Sequence, residues 1–404
     1  MKKVVLSLLA FGLIGAGAFA QAAPAAPTVT IGDWGRQLFV FGGQSASPGY
    51  WTSDAASWGG SPRIVGLNIQ AKTDNAGFSI TPSDDGGTFG LTDQNKAWIN
   101  PLPGLQFEAG IELETDTWRG ADDYGAFDWL RFNKEKGDSI TFARLGEAGQ
   151  EFDVNYNKDG VGGWFLVQNT NAYNGSTVND DLGSNVQAGA AYTFPSIGML
   201  KAQYLGYNVV NYGVDGGTTT NAAGVNGNYT VFGTPIKGTA GEFGTVQAAF
   251  NLTSVKDLYE ELGIQIPTSS SDAGYSFQLT DSTSYKVDKV TYNLQVLAVD
   301  YTGDNGGTSG FALGGGVGGA LDLGNSVTAN VDIRYESALA ANGGVKPASN
   351  NDAFTGVQVG LTKGFSNGLI GIAFEYSSDY GFSTGNGSST GASWVIPVRL
   401  EEWF

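Results

Sequence analysis

The sequence predicts an all-β chain, an antiparallel up-and-down transmembrane β-barrel of about 18 strands, within a range of about 16–20. Three observations predict it. Segments of about ten residues alternate apolar and polar side chains. The connections between them come in two sizes. After the first twenty residues there is no run of 18 apolar residues, so a membrane can be crossed only by strands closed into a barrel.

The alternation is explicit. In 105–114, Leu105, Phe107, Ala109, Ile111 and Leu113 share one face, with Gln106, Glu108, Gly110, Glu112 and Glu114 on the other. In 327–336, Val327, Ala329, Val331, Ile333 and Tyr335 alternate with Thr328, Asn330, Asp332, Arg334 and Glu336. In 186–194, Val186, Ala188, Ala190, Tyr192 and Phe194 alternate with Gln187, Gly189, Ala191 and Thr193, and 65–71 follows the same rule. Segments 290–296, 357–363 and 370–377 behave alike. Period-2 alternation gives one apolar and one polar face. A half-exposed sheet of a soluble protein alternates too; here the polar face is rich in Gly, Asn, Gln, Thr and isolated charges, which suits a wet lumen.

Short turns are expected at 101–104, 158–160, 195–198, 323–325 and 364–368. Long polar connections are expected near 43–61, 116–126, 171–183, 209–240, 338–352 and 379–389. Outer-membrane barrels have short periplasmic turns and long outer loops. Ser254 to Leu262 reads as a helical turn, with Ser254 as N-cap and Asp257 completing a capping box, leading into a strand with Leu262, Ile264 and Ile266.

The first residues have the layout of a secretory signal peptide: Lys2 and Lys3, the apolar run Val4 to Gly17, and Ala18-Phe19-Ala20 as a cleavage motif. The apolar run falls short of the ~20 residues of a spanning helix. The expected organisation is a signal peptide over 1–20 cleaved after Ala20, an N-terminal extension over 21–33, and one barrel over 34–404. The 62 Gly, 12% aromatic and 15% charged residues fit neither disorder, which lacks aromatics, nor collagen, which needs a Gly triplet. The net charge of −18 argues against nucleic acid as a partner.

The chain has no Cys and no His. A lipid-modified cysteine, disulfides, and Ser-His or Cys-His nucleophiles are thereby excluded. Gly314-Gly315-Gly316-Val317-Gly318-Gly319 matches G-x-G-x-x-G, but a turn and a further strand follow it where a nucleotide site needs a helix; it reads as a Gly-rich strand. The acidic pairs Asp84-Asp85, Asp122-Asp123 and Asp180-Asp181 read as solvated loop charge. No metal, cofactor or catalytic residue is assigned, and no enzymatic activity is expected.

The last residues read Trp-Val-Ile-Pro-Val-Arg-Leu-Glu-Glu-Trp-Phe, with Trp394, Ile396, Val398, Leu400 and Phe404 on one face. This terminus resembles the C-terminal strand of Gram-negative outer-membrane barrel proteins, which the barrel assembly machinery reads. It departs from that pattern at Glu402 and Pro397. The resemblance implies the cell outer membrane, its lipid and the assembly machinery as surroundings. The hairpin from Ala97-Trp98-Ile99-Asn100-Pro101 through Gly104 to Phe107 and Gly110 resembles those of spirochaete-type porin-like barrels. General porins narrow their lumen with an inward loop. The stretch with Asp116, Arg119, Asp122, Asp123, Asp128 and Arg131 resembles such a constriction in composition; an outer loop plus strand is the alternative. General porins are often trimers, so the resemblance allows a homo-oligomer.

The function expected is a porin-like channel for passive diffusion of small hydrophilic solutes or ions. Glu108, Glu112, Glu114, Asp332, Glu336 and Glu375 are expected to line the pore, partly offset by Arg334 and Arg399, giving a mild cation preference. The alternatives are a surface adhesin or structural barrel without an open pore, and a soluble secreted β-sandwich or solenoid.

Overall fold

The computed structural model describes residues 26–44, 50–54, 63–85, 88–90, 95–111, 150–169, 186–206, 244–304, 308–337, 354–377 and 392–404. The expected signal peptide and most of the long connections lie outside the described residues.

The strands are β1 (Thr28–Gln44), β2 (Tyr50–Asp54), β3 (Arg63–Lys72), β4 (Ala76–Ile80), β5 (Ser83–Asp85), β6 (Thr88–Gly90) and β7 (Asn95–Leu102). There follow β8 (Leu105–Ile111), β9 (Gln150–Lys158), β10 (Val161–Asn169), β11 (Val186–Phe194), β12 (Gly198–Leu205), β13 (Thr245–Leu252) and β14 (Leu258–Pro267). After one helical turn, α1 (Ser270–Ala273), come β15 (Tyr275–Val287), β16 (Val290–Thr302), β17 (Ser309–Gly324), β18 (Val327–Glu336), β19 (Phe354–Phe365), β20 (Gly368–Ser377) and β21 (Ser393–Trp403). Among the described residues no helix is long and apolar enough to cross a membrane, which says nothing about strands.

From β7 onward each strand pairs antiparallel with the next in sequence. The last strand, β21, returns to β1 over Trp34–Gln44, so the pairings close a ring. Three staves of this ring are interrupted. β2 and β3 pair with successive stretches of β1, β4 and β5 with successive stretches of β3, and β6 and β7 with β5 and β4. Among the described residues the twenty-one strands therefore make eighteen staves, within the range the sequence predicts. The break between β4 and β5 falls at Thr81-Pro82, where Pro has no N–H to give; the Thr81 N–H donates to the Asn95 side chain instead at 3.1 Å.

The five short turns expected from the sequence lie close to their expected positions, and further turns at 73–75, 253–257 and 288–289 join them on the end that also holds both ends of the ring. There the Phe404 N–H donates to the Asp33 carbonyl at 2.9 Å and the Asp33 N–H to Phe404 at 3.2 Å. The Asp159-Gly160 turn has φ of 55° and 79°, the two left-handed residues whose twist suits a two-residue hairpin.

Three details differ from expectation. Strand begins at Thr28, inside the stretch read as an N-terminal extension, because β3 offers Thr28–Gln37 a complete partner edge. The helical turn expected from Ser254 is a tight hairpin turn. Asp257 has φ 59°, which a capping box does not allow, and strand starts at Leu258. The pairing of Leu252 with Glu260 across the hairpin outweighs local capping. Pro397 pairs with Val40 of β1, while pairing with β20 lapses at Ile396 and Pro397, so the missing donor is felt on one side of the seam only.

Candidate functional site: the inward face of the ring

A closed ring gives every stave one face to the enclosed space and one to the surroundings. In β13, Thr245, Gln247, Ala249 and Asn251 are buried and Val246 is exposed. In β18, Asn330 and Asp332 are buried while Val331, Ile333 and Tyr335 are about half exposed. Leu361, Phe374, Leu294 and Phe165 are outward in the same way. The polarity is the reverse of a water-soluble protein, in which the apolar face is covered. An apolar outer belt in which all staves are hydrogen-bonded into a ring satisfies lipid; it contradicts the soluble sandwich or solenoid.

Alternation carries the polar residues inward. On β8 and β9, Glu108, Glu151 and Asp153 are buried. Lys96 Nζ on β7 lies 3.4 Å from Glu108 Oε2. Next to them Trp164 of β10 lies over Gly189 of β11, where an added Cβ would strike the indole. From there a chain of amides crosses five staves. Gln187 Nε2 donates to Gln203 Oε1 at 2.6 Å, Gln203 to Gln247 at 2.6 Å, Gln247 to Gln265 at 2.7 Å, and Gln265 to the Tyr275 hydroxyl at 2.6 Å. Lys201 of β12 reaches past β13 to Glu261 of β14 at 2.8 Å. It passes over Ala249, whose small side chain leaves room.

The wall at β17 is different. Its inward positions are Ala312, Gly314, Gly316, Gly318 and Ala320. The G-x-G-x-x-G stretch is thus a strand, as expected, and the Asp332 carboxylate of β18 fills the space over Gly318. Gln358 of β19 stands opposite Asp332 and is fully buried. On β21, Arg399 is buried and pairs with Glu401.

Glu108, Asp332 and Arg399 are buried on the inward face. Arg334, Glu336 and Glu375 occupy strand positions, their side chains lying outside the described residues. Glu112, Glu114 and the whole of the expected constriction, Asp116, Arg119, Asp122, Asp123, Asp128 and Arg131, lie outside the described residues. In the terminal strand Leu400 and Phe404 are outward and exposed, and Trp394 packs on Phe41 at 5.5 Å and Phe374 at 6.3 Å. Sequence reasoning missed Glu151, Asp153, Lys201 and Glu261. The signal was present in 151–156, where Glu151, Asp153 and Asn155 alternate with Phe152, Val154 and Tyr156. Among the described residues no group of three or more His, Cys, Asp or Glu is placed to hold a metal ion.

No family model and no curated protein matches the chain. Among solved structures it is similar to Pseudomonas aeruginosa OccK11 (OpdR), with a TM-score of 0.52 and 8% identity over 93% of this chain and 96% of that one. The shared feature is the fold, an antiparallel β-barrel. Similarity extends to an anion-selective porin from Comamonas acidovorans, at TM-score 0.46 and 10% identity over 94% of this chain and 100% of that one. It extends also to OmpT, an outer membrane protein of Vibrio cholerae, at TM-score 0.43 and 9% identity over 96% and 100%. At these identities the likeness to all three is one of fold.

Proposed function

We propose that this barrel sits in the outer membrane as a pore for passive diffusion of small hydrophilic solutes, with a mild preference for cations. The observation that carries the reading is the polar, acidic inward face of an eighteen-stave ring. Barrels of this size leave an aqueous channel. Glu108, Glu151, Asp153, Glu261 and Asp332 stand against Lys201 and Arg399 among the buried inward charges. An acidic lining favours cations. The outward apolar belt would meet outer-membrane lipid, and the Phe404 strand is the segment the barrel assembly machinery would read. The reading needs no catalytic residue, metal or cofactor. The test is the reversal potential across a planar bilayer under a KCl gradient, for the parent and for Glu108→Gln with Asp332→Asn. A cation-selective parent and a shift towards zero in the variant are expected. Anion preference in the parent would sink the selectivity, and no conductance at all would sink the pore.

One observation favours a second reading. Asp153 and Gln358 sit on nearly opposite staves and are each 0% exposed, so open water reaches neither side chain. A barrel closed in this way would serve a surface or structural role without conducting. Sugar-driven swelling of liposomes holding the protein separates the two.

A further inference from the structure

The inward corner made by β7, β8 and β9 holds more oxygen than its own partners satisfy. Glu108 and Asp153 stand directly opposite each other on neighbouring strands. Side chains so placed are about 5 Å apart at Cβ, and like charges there repel. Lys96 offsets Glu108. Among the described residues no ion pair reaches Asp153. Asp153 is 0% exposed. Its Oδ2 accepts a hydrogen bond from Asn155 Nδ2, whereas its Oδ1 has no hydrogen-bond partner. Asn155 Oδ1 is buried and equally without one. Asp153 and Asn155 are two residues apart on β9 and so share the inward face, together with the buried Glu151.

A carboxylate withdrawn from water must take up a proton or gain a counter-charge, since burying it ionised and unpaired is strongly unfavourable. We propose that this corner binds one monovalent alkali cation, held by Asp153 Oδ1 and Asn155 Oδ1 with the Glu108 carboxylate facing them. An all-oxygen donor set suits a hard cation. The charge arithmetic suits a single positive charge, because Lys96 has already neutralised Glu108. A divalent ion would want more carboxylates converging on it, and no such group is present among the described residues. Binding that is favourable but weak is what conduction needs. The site deepens the proposed cation preference by naming where the ion pauses, and rests on that reading for its role in conduction; the binding itself does not depend on an open pore.

The experiment is a sodium-23 NMR titration of the purified full-length protein in detergent, with folding checked by heat-modifiable gel migration. Sodium bound to a slowly tumbling barrel broadens the resonance, and potassium is expected to reverse the broadening. Asp153→Asn is expected to abolish it. Asn155→Ala, which changes no charge, is expected to weaken sodium binding by about tenfold, the loss of one good contact. Asp288→Asn removes the same charge from an exposed turn and is expected to leave the broadening intact. No broadening in the parent overturns the site. So does broadening that survives both β9 variants, or that Asp288→Asn removes equally. If Asp153→Asn fails to fold, Asn155→Ala decides alone. Sodium binding in a protein that does not conduct would leave this site standing and remove the pore; conductance without sodium binding would do the opposite.

Discussion

The inward wall of β9–β14 and the inward wall of β17 are written in the same alternating code and carry opposite contents. The first is crowded with Asp153, Trp164, the glutamine chain and the Lys201–Glu261 pair. The second offers Ala312, Gly314, Gly316, Gly318 and Ala320. Their outward faces do not differ in kind: Phe165, Val246 and Leu262 on one side match Leu313, Val317 and Leu321 on the other. Lipid imposes one requirement on every stave, which is apolar surface. The interior imposes only that polar groups find partners, and it can be met by filling the wall or by leaving it bare. Function is therefore to be sought in the difference between inward walls.

Several substitutions would break or sharpen that comparison. The largest effect is expected for Lys201→Met, which takes the ammonium from a Glu261 side chain 2% exposed. Breaking a buried pair costs about 3–5 kcal/mol, read as a lower urea midpoint in micelles, and Lys201→Met with Glu261→Leu should recover most of it. A cost near zero would mean the crowded wall is not held by its charges. Next, Val246→Arg and Val331→Arg each place a charge on the outward face, one on β13 of the crowded wall and one on β18 beside β17. Both should cost about 2–4 kcal/mol if near the bilayer midplane. Unequal costs would show that the outward faces differ after all.

Gly189→Leu should be felt more than Gly318→Ala. The first drives a side chain into the Trp164 indole, which is enclosed, and overpacking costs about 1–3 kcal/mol. The second adds a single methyl against the Asp332 carboxylate, a smaller intrusion. Gln247→Leu cuts the amide chain in its middle and strands a donor on Gln203 and an acceptor on Gln265. A cost of about 1–3 kcal/mol is expected, with faster hydrogen exchange across β12–β14 and none across β17. The smallest effect is deletion of Phe404, which removes the two backbone bonds to Asp33 at the seam, about 1 kcal/mol each. Equal stability after deletion would show that the ring closes without them.

Much of this was legible beforehand because alternation is a local property. Glu108 and Asp332 follow from the parity of their own segments, as does the outward set of Val331, Ile333 and Tyr335. The hairpin at Asp159-Gly160 follows from turn chemistry, and the turn expected at 323–325 falls one residue later, at Asn325-Ser326. Lys201 and Glu261 were not legible as partners, since they are 60 residues apart and nothing in either segment names the other. Nor did the segment around Ser254 show its hairpin, because capping residues and turn residues overlap in type and the pairing of β13 with β14 decides between them.

The residues by themselves determined that this chain is a barrel of about eighteen strands, with an apolar outside, a polar inside, and short turns at one end. Each of those statements needs only neighbours along the chain, where side-chain direction has period two. Which strand meets which across the seam, where three staves are interrupted, and which inward residues touch were decided by the tertiary structure. Register between strands joined by long connections is left open by local alternation. A contact such as Asp153 opposite Glu108 exists only once β8 and β9, whose connected ends lie far apart in sequence, have paired.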